Sequence, residues 1–441
     1  CIIVDEAHTC ASSGAGKQLR FELLQRLASN AHRHLILLTA TPHSGDEAAF
    51  YNLLSLLDTR FAALQGRMSA SDSLRQELAR HFVQRRRKDI AEWQAETEDG
   101  RGFARRMKTE LTYQLSGDWG NFFDAVQDYC RELAETAERQ GTAGGTSLMW
   151  YATLALLRCV ASSPAAAVKA LTTRLEGSET AEDLLTDERL HDGEADDLSS
   201  SDLEPPAQVQ DASRLQALIA SAQRLSGQKG DPKLTALIQH VDQLLKDGYH
   251  PVVFCRYIAT AHYVAEHLKT AFPQATIDAI TGELTPEERR ERVEDMAEAD
   301  SRILVATDCL SEGINLQHLF TAVVHYDLAW NPTRHEQREG RVDRFGQQAP
   351  EVRCTMLYGQ DNPIDGFVLK VILRKGEAIQ KELGVMVPLP EDDARINQAL
   401  VKAALMRREH RAQAPMRQES FDFGEPERLL APLQAQWQDA L

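Results

Sequence analysis

The chain has 441 residues, of which 43% are hydrophobic, and its 49 basic and 66 acidic side chains give a net charge of -17. This composition is typical of a globular protein of about three domains, since domains average ~150 residues. No stretch approaches the ~18 consecutive apolar residues of a membrane-spanning helix, so we expect no association with a membrane. The acidic excess argues at first against a nucleic-acid partner, because Lys and Arg provide the contacts to phosphate.

The seven cysteines contain no C-x-x-C pair. They therefore indicate neither a zinc ribbon nor a disulfide framework, and we expect a cytoplasmic protein. The chain begins with Cys1 and enters the apolar run Ile2–Val4 at once. A buried strand with nothing before it is an implausible natural start, so we expect an N-terminally truncated fragment.

Residues 1–90 alternate short apolar runs with helical stretches, which predicts an α/β layer. Strands are predicted at Ile2–Val4 and Leu35–Leu38. Apolar residues at helical spacing predict helices at Phe21–Leu27 and Phe50–Leu57.

Residues 91–230 are predicted to form a helical insertion, because strand signals nearly vanish there. Helical spacing is clear at Phe122–Leu133, Ser147–Val160 and Leu215–Leu225. Between them, residues 176–211 hold thirteen acidic side chains and one basic side chain, with few aliphatic residues. Such a segment buries too little apolar area to offset its ordering entropy, so we predict a disordered acidic loop. It supplies 12 of the 17 net negative charges, which removes the objection to a nucleic-acid partner.

The α/β pattern returns over residues 231–385 and predicts a doubly wound parallel sheet. Its predicted strands are Val252–Cys255, Thr276–Ile280, Ile303–Ala306, Ala322–Tyr326 and Val352–Tyr358. Helices are predicted at Ala259–Thr270 and Pro286–Ala297. Residues 386–441 are predicted to be a helical, polar tail.

Two adjacent carboxylates follow the first predicted strand, in Ile3-Val4-Asp5-Glu6-Ala7-His8. Ligands bind at the carboxyl ends of strands in open α/β sheets. At such a position Asp5 would suit Mg²⁺, and Glu6 would orient or deprotonate an attacking water. A solvated acid pair is the commoner explanation of Asp-Glu on its own.

The second apolar run, Leu35–Leu38, leads into Thr39-Ala40-Thr41-Pro42. Parallel strands of one sheet end at the same edge, so we expect Thr39 and Thr41 to lie near the carboxylates. Taken alone, the segment also fits an ordinary strand exit with a proline stop.

The most specific pattern is Tyr326–Pro332 followed by Gln337–Gln347. Arg341 and Arg344 are three residues apart, so on a helix they would share a face and bind phosphate or transition-state charge. A surface helix whose arginines pair with neighbouring acids is the alternative, and spacing alone does not separate the two. Those neighbours are Glu336, Glu339 and Asp343.

Together these segments resemble the Swi/Snf-type ATPases of helicase superfamily two. Asp5-Glu6-Ala7-His8, a DEAH sequence, is similar to the Walker B motif of that family. Similarity to later motifs is found in Thr39–Pro42, Val253–Cys255, Thr281–Gly282 with Arg289-Arg290, Ala306–Gln317 and Gln337–Gln347. The basic segment Phe82–Ile90 and the run Asp231–Leu234 resemble the exit from the first lobe and the start of the second. The Ser311-Glu312-Gly313-x-Asn315 and Gln337-Arg338-x-Gly340-Arg341 forms of the last two motifs resemble those of bacterial polymerase-recycling ATPases and of helicase-like subunits of DISARM-type phage defence.

The resemblance implies two RecA-like lobes, with residues 1–90 as the C-terminal part of the first and 231–385 as the second. It implies an ATP-dependent translocase on double-stranded DNA that uses ATP and Mg²⁺, with RNA polymerase or defence-system subunits as protein partners. By resemblance, Asp5 would hold Mg²⁺, Glu6 would activate water, Gln337 would position the nucleotide, and Arg341 and Arg344 would be arginine fingers. Gly313 and Asn315 would approach the nucleotide, while His8, Thr39 and Thr41 would couple hydrolysis to DNA. Thr281, Arg289 and Thr307 would contact the phosphate backbone.

The chain departs from the family pattern in lacking a phosphate loop with its Lys. Gly14-Ala15-Gly16-Lys17-Gln18 has no Ser or Thr after the Lys and has Ala11 where the first Gly is required. We therefore expect these 441 residues alone to show no appreciable ATPase activity. Two alternatives stay open, namely a strand-separating or RNA-directed helicase and a non-catalytic DNA-binding scaffold subunit.

Overall fold

Two parallel sheets, one of two strands and one of six, organise the computed structural model of the chain. It describes residues 1–10, 15–30, 32–39, 47–64, 73–83, 103–115, 117–140, 153, 155–176, 212–311, 314–329, 332–367 and 369. Within these ranges, no helix is long and apolar enough to cross a lipid bilayer. Residues 84–90 of the basic segment Phe82–Ile90, residues 177–211 of the predicted acidic loop 176–211 and the predicted tail 386–441 lie outside the described residues.

The strands are β1 (Ile2–Val4), β2 (Leu35–Leu37), β3 (Arg105–Tyr113), β4 (Pro251–Phe254), β5 (Thr276–Ile280), β6 (Arg302–Ala306), β7 (Ala322–His325) and β8 (Glu351–Gly359). The helices are α1 (Ala15–Ala28), α2 (Glu47–Leu57), α3 (Ser73–His81), α4 (Gly117–Gln140), α5 (Pro164–Glu176), α6 (Ala212–Arg224), α7 (Pro232–Lys246), α8 (Ile258–Ala271), α9 (Pro286–Asp295), α10 (Pro332–Val342) and α11 (Pro363–Phe367). Residues 155–162 are also helical. The strands predicted for residues 231–385 are confirmed to within one residue at each end.

The small sheet pairs β1 with β2 in parallel, with Ile2 opposite Leu35 and Val4 opposite Leu37. Its core lies against α1 and α2, where Leu24 and Leu53 are buried. The predicted α/β layer of residues 1–90 is confirmed for the part that the structure describes.

The large sheet has the strand order β3-β8-β7-β4-β6-β5, and all its strands run parallel. Strands buried on both faces read as continuous apolar runs, and the central strand β4 has this form. Its side chains alternate between faces, so Val253 contributes to one core cluster and Val252 and Phe254 to the other. The predicted doubly wound parallel sheet is confirmed.

Strand β3 lies within the region that the sequence predicted to be a helical insertion. It pairs with β8 over its whole length, from Arg105 opposite Glu351 to Tyr113 opposite Gly359. Charged side chains hide the strand pattern, as is common at sheet edges, where charge discourages pairing with other chains. The second sheet therefore includes residues 105–113, which the sequence assigns to the helical insertion.

The helices of the predicted insertion share their core with this sheet. Trp119 of α4, Leu171 of α5 and Leu218 of α6 belong to the same buried cluster as Val253 and Tyr326. A continuous apolar core means that these helices and the second sheet form one folding unit rather than two.

Candidate functional site

The loops that follow β6 and β7 meet over the end of β4, because β4 lies between these strands. Carboxyl ends of parallel strands are the usual position of ligand sites. Asp308 follows β6 and Asp327 follows β7, and Arg338 of α10 binds both. Its Nε and Nη2 donate to the two Asp308 carboxylate oxygens at 2.6 and 2.8 Å, and its Nη1 donates to the Asp327 carbonyl at 2.8 Å.

This Arg338–Asp308 ion pair is a structural link rather than an exposed ligand group. Arg338 is only 1% exposed. Burial would raise the pKa of Asp308, but the charge and hydrogen bonds of Arg338 outweigh it and hold that pKa well below its ordinary value. The pair therefore stays ionised at neutral pH and fixes α10 to the loop after β6.

The predicted phosphate-binding arginines follow Arg338 closely, at the C-terminal end of α10 and just beyond it. The helix ends at Val342, and four residues later Gly346 has φ of 88°, a conformation that favours glycine. Arg344 therefore lies beyond the helix, and the helical spacing considered for Arg341 and Arg344 does not extend to it.

The structure nevertheless brings three predicted residues together. Arg344 is exposed and its Nη1 donates to the Asn315 side-chain carbonyl. The carbonyl of Arg341 accepts the Leu316 N–H at 3.2 Å. Gln337 is half-buried on α10, while Gly313 lies outside the described residues. Asn315, Arg341 and Arg344 thus form one cluster at the C-terminal end of α10.

Acidic residues of α10 and of the position after it pair with an arginine that sequence reasoning missed. Arg106 of β3 donates through Nη1 to Glu336 at 2.7 Å and Glu339 at 2.6 Å, and through Nε to Asp343 at 2.7 Å. Burial would lower the pKa of Arg106, but these carboxylates raise it above its ordinary value. No local pattern reveals the contact, because more than 200 residues separate its partners.

The predicted DNA contacts lie where β5 and β6 end. Arg289 donates to the carbonyls of Leu284 at 2.9 Å, Gly282 at 3.3 Å and Cys309 at 3.3 Å. Its guanidinium therefore joins the loop after β5 to the loop after β6. The side chains of Thr281 and Thr307 are buried. Contact of either hydroxyl with a phosphate would require the loops to move, and the DNA role of these three residues stays a prediction.

The first-lobe residues lie at the carboxyl ends of β1 and β2. The Ala7 N–H donates to the Leu38 carbonyl at 2.9 Å, so the chain leaving β1 stays beside the chain leaving β2 and Thr39. Asp5 is exposed, and its Oδ1 accepts the Glu6 N–H at 3.0 Å. Glu6 has φ of 47°, an uncommon backbone conformation for a non-glycine residue. The side chain of His8 and all of Thr41 lie outside the described part of the chain.

A buried polar network joins the helical region to the loop after β7. Lys233 donates from Nζ to Asp327 at 2.8 Å and to the Ala161 carbonyl at 3.1 Å. Ser162 donates to the other Asp327 oxygen at 2.9 Å and contacts the Thr260 hydroxyl at 2.8 Å. Burial would lower the pKa of Lys233, but Asp327 raises it above its ordinary value. This network holds in place the loop whose carbonyl binds Arg338.

A family model described as the helicase conserved C-terminal domain matches residues 232–346. This range contains Asp308, Asn315 and the whole of α10.

Curated relatives are ATP-dependent helicases by name. An uncharacterized ATP-dependent helicase, YqhH of Bacillus subtilis, is 23% identical over 397 residues, covering 87% of this chain and 59% of that protein. The ATP-dependent RNA helicase fal1 of Aspergillus oryzae is 30% identical over 97 residues, covering 22% of this chain and 24% of that protein. The chain thus spans about three fifths of the Bacillus relative and a quarter of the Aspergillus relative.

Two solved structures resemble parts of the chain. The C-terminal part of the Fun30 ATPase domain has a TM-score of 0.46 and 15% identity, covering 70% of this chain and 99% of that one. The Sulfolobus solfataricus SWI2/SNF2 ATPase core in complex with dsDNA has a TM-score of 0.42 and 14% identity, covering 93% and 71%. Residues 232–346 thus match the helicase conserved C-terminal domain, and the chain is similar over most of its length to a protein named as an ATP-dependent helicase.

Proposed function

We propose that the chain is part of an ATP-driven translocase on double-stranded DNA. The observation that carries this proposal is the arrangement of α10. Arg338 is buried against Asp308, while exposed Arg344 lies with Asn315 and Arg341 shortly after it, at the C-terminal end of the helix. Cations held at the end of a fixed helix are suited to stabilise charge on a transferring phosphoryl group.

Within this proposal, Arg341 and Arg344 act on the nucleotide from the second lobe and Gln337 helps to position it. Gly313 and Asn315 approach the same nucleotide. Glu6 activates the attacking water from the first lobe, and closure of the two lobes on ATP completes the site. His8, Thr39 and Thr41 couple hydrolysis to contact with DNA.

Asp5 is the proposed holder of Mg²⁺. Mg²⁺ in nucleotide sites takes one or two carboxylates together with phosphate oxygens and waters, and an exposed carboxylate at a strand end fits that demand. The ion would neutralise charge that develops on the β- and γ-phosphates.

Double-stranded DNA is the proposed track, bound near the loops that hold Thr281, Arg289 and Thr307. Contacts to the backbone without readout of bases would make movement largely independent of sequence. The same proposal includes a cytoplasmic location. It also includes protein partners that the motor displaces or assists, such as RNA polymerase or the subunits of a phage-defence system.

The test uses the natural protein that contains these residues. Its ATP hydrolysis is measured with double-stranded DNA, single-stranded DNA and RNA, and movement is followed by displacement of a triplex-forming strand. Stimulation by double-stranded DNA with triplex displacement and without strand separation is expected. Arg341→Ala and Arg344→Ala should each lower kcat by ~10³. Wild-type kcat in Arg341→Ala or Arg344→Ala would contradict the role given to that arginine.

An RNA-directed helicase is the second candidate, favoured by the RNA helicase name of the Aspergillus relative. Stimulation by RNA rather than by double-stranded DNA, together with separation of a duplex, would select it. A natural protein that has no phosphate loop and hydrolyses no ATP would instead be a DNA-binding scaffold.

A further inference from the structure

Arg106 and its three partners form a buried charge cluster, here named the Arg106 clamp: Arg106, Glu336, Glu339 and Asp343. The side chain of Arg106 is 15% exposed, that of Glu339 is 5% exposed and that of Asp343 is fully buried. A single guanidinium thus faces three carboxylates on consecutive turns of the helix end. Removing the cation would leave at least two buried anions close together, an arrangement that is strongly unfavourable.

The clamp holds a different face of α10 from the Arg338–Asp308 pair. Arg338 lies between Glu336 and Glu339 in the sequence, but on a helix it points ~100° or more away from the clamp residues. Arg338 binds Asp308 at the carboxyl edge of the sheet. Arg106 is the second residue of β3, so it lies near the opposite, amino edge, and it binds Glu339 and Asp343. Attachments on two faces of a helix determine both its position and its rotation.

The rotation matters for Arg341. This residue stands two positions from Glu339 and two from Asp343, so on a helix it lies on roughly the opposite face from both. The Asp343 N–H still donates to the Glu339 carbonyl at 2.8 Å, which keeps helical geometry through this turn. Binding of Glu339 and Asp343 to Arg106 therefore turns Arg341 away from β3.

We propose that Arg106 is a positioning residue for the nucleotide reaction, which holds the C-terminal end of α10 so that Arg341 and Arg344 meet the phosphates. This inference rests on the proposed function. Arg106 itself touches no reacting atom. Its contribution is the pre-organisation of two cations, and displacement of a catalytic group by ~1 Å is enough to cost ~10²-fold in rate.

The main test variant is Arg106→Met with Glu339→Gln and Asp343→Asn in the natural protein, which removes the clamp without leaving an unpaired buried charge. Its kcat for ATP should fall ~10- to 100-fold, while KM changes by less than ~3-fold, because positioning acts in the transition state. Amide hydrogen exchange in peptides covering 332–347 should become faster. Arg106→Lys should give an intermediate kcat, since an ammonium keeps the charge but not the forked geometry.

Arg105→Met is the matched control. Arg105 is the adjacent residue of β3, it pairs with Glu351 at the surface, and its side chain is 69% exposed. Its kcat and exchange should equal those of the wild type.

Unchanged exchange over 332–347 in the triple variant would overturn the proposal, and so would unchanged kcat. The exchange measurement does not depend on ATP hydrolysis. Failure of the proposed function, seen as wild-type kcat in Arg341→Ala, is therefore distinguished from failure of the clamp.

Discussion

Arg338 binds Asp308 through two nearly parallel hydrogen bonds of 2.6 and 2.8 Å, and both side chains are buried. The two residues lie 30 positions apart. Their contact joins the segment after β6 to α10, the two segments that carry the predicted nucleotide contacts of the second lobe.

Arg338→Met should lower the free energy of unfolding by ~3 kcal/mol, because it removes two short hydrogen bonds to the buried Asp308 carboxylate and leaves only its 3.5 Å contact with Arg334. The measurement is urea denaturation followed by circular dichroism. Arg292→Met is the control, since Arg292 meets Asp278 at 3.4 Å with a side chain 45% exposed, and its loss should cost less than ~1 kcal/mol. Equal effects of the two substitutions would show that water screens the Arg338–Asp308 pair.

Lys233→Met should destabilise the chain by a similar ~3–5 kcal/mol, because Asp327 would keep a buried charge. Lys246→Met on the same helix is the control, since Lys246 pairs with Asp242 at the surface, and its loss should cost ~0.5 kcal/mol or less. Adding Asp327→Asn to Lys233→Met should restore part of the stability, which a double-mutant cycle measures. Additive losses would contradict direct coupling.

The pH dependence of stability should reveal Asp231. Burial raises the pKa of Asp231 to about 6, above its ordinary value of 3.8. The folded state therefore binds its proton more tightly than the unfolded state does, so this contribution to stability is fully present below pH 3.8 and is lost as pH rises through 6.

Asp231→Asn does not titrate and serves as the reference. Between pH 4 and pH 7, the wild type should lose about 2 kcal/mol relative to this variant. Unfolding curves of both proteins across that range provide the measurement. A pH-independent difference would mean that Asp231 titrates alike in both states.

Glu6→Gln in the natural protein should reduce ATP turnover by ~10²-fold or more, because the amide cannot accept the proton of the attacking water. The variant should bind ATP and remain bound to DNA, as measured by fluorescence anisotropy. Glu77→Gln, which changes a surface carboxylate of α3 paired with Arg80 at 3.8 Å, should hydrolyse ATP at the wild-type rate. Normal hydrolysis by Glu6→Gln would refute its role in activating water.

Local sequence patterns predicted the strands of the second sheet well. β4, β6 and β7 are buried on both faces, so their apolar residues stand in unbroken runs that need no knowledge of the rest of the chain. β3 escaped prediction because its side chains are largely charged and its position at the sheet edge requires little apolar character.

The candidate site was predictable only as a set of residue types. The pattern from Gln337 to Gln347 placed several arginines on one segment, but it did not distinguish the buried Arg338 from the exposed Arg344. The burial of Arg338 depends on its contact with Asp308. Asp308 follows β6 and Arg338 lies on the helix after β7, and the two meet because β4 alone lies between β6 and β7 in the sheet.

The sequence by itself determined the α/β class, most strand positions and the acidic segment that dominates the net charge of -17. These properties follow from composition and from periods of two or 3.6 residues, which are local. Tertiary structure decided that the helical region shares the core of the second sheet and that Arg106 binds α10. Both depend on strand order, which places residues more than 200 positions apart in contact and leaves no local pattern in the chain.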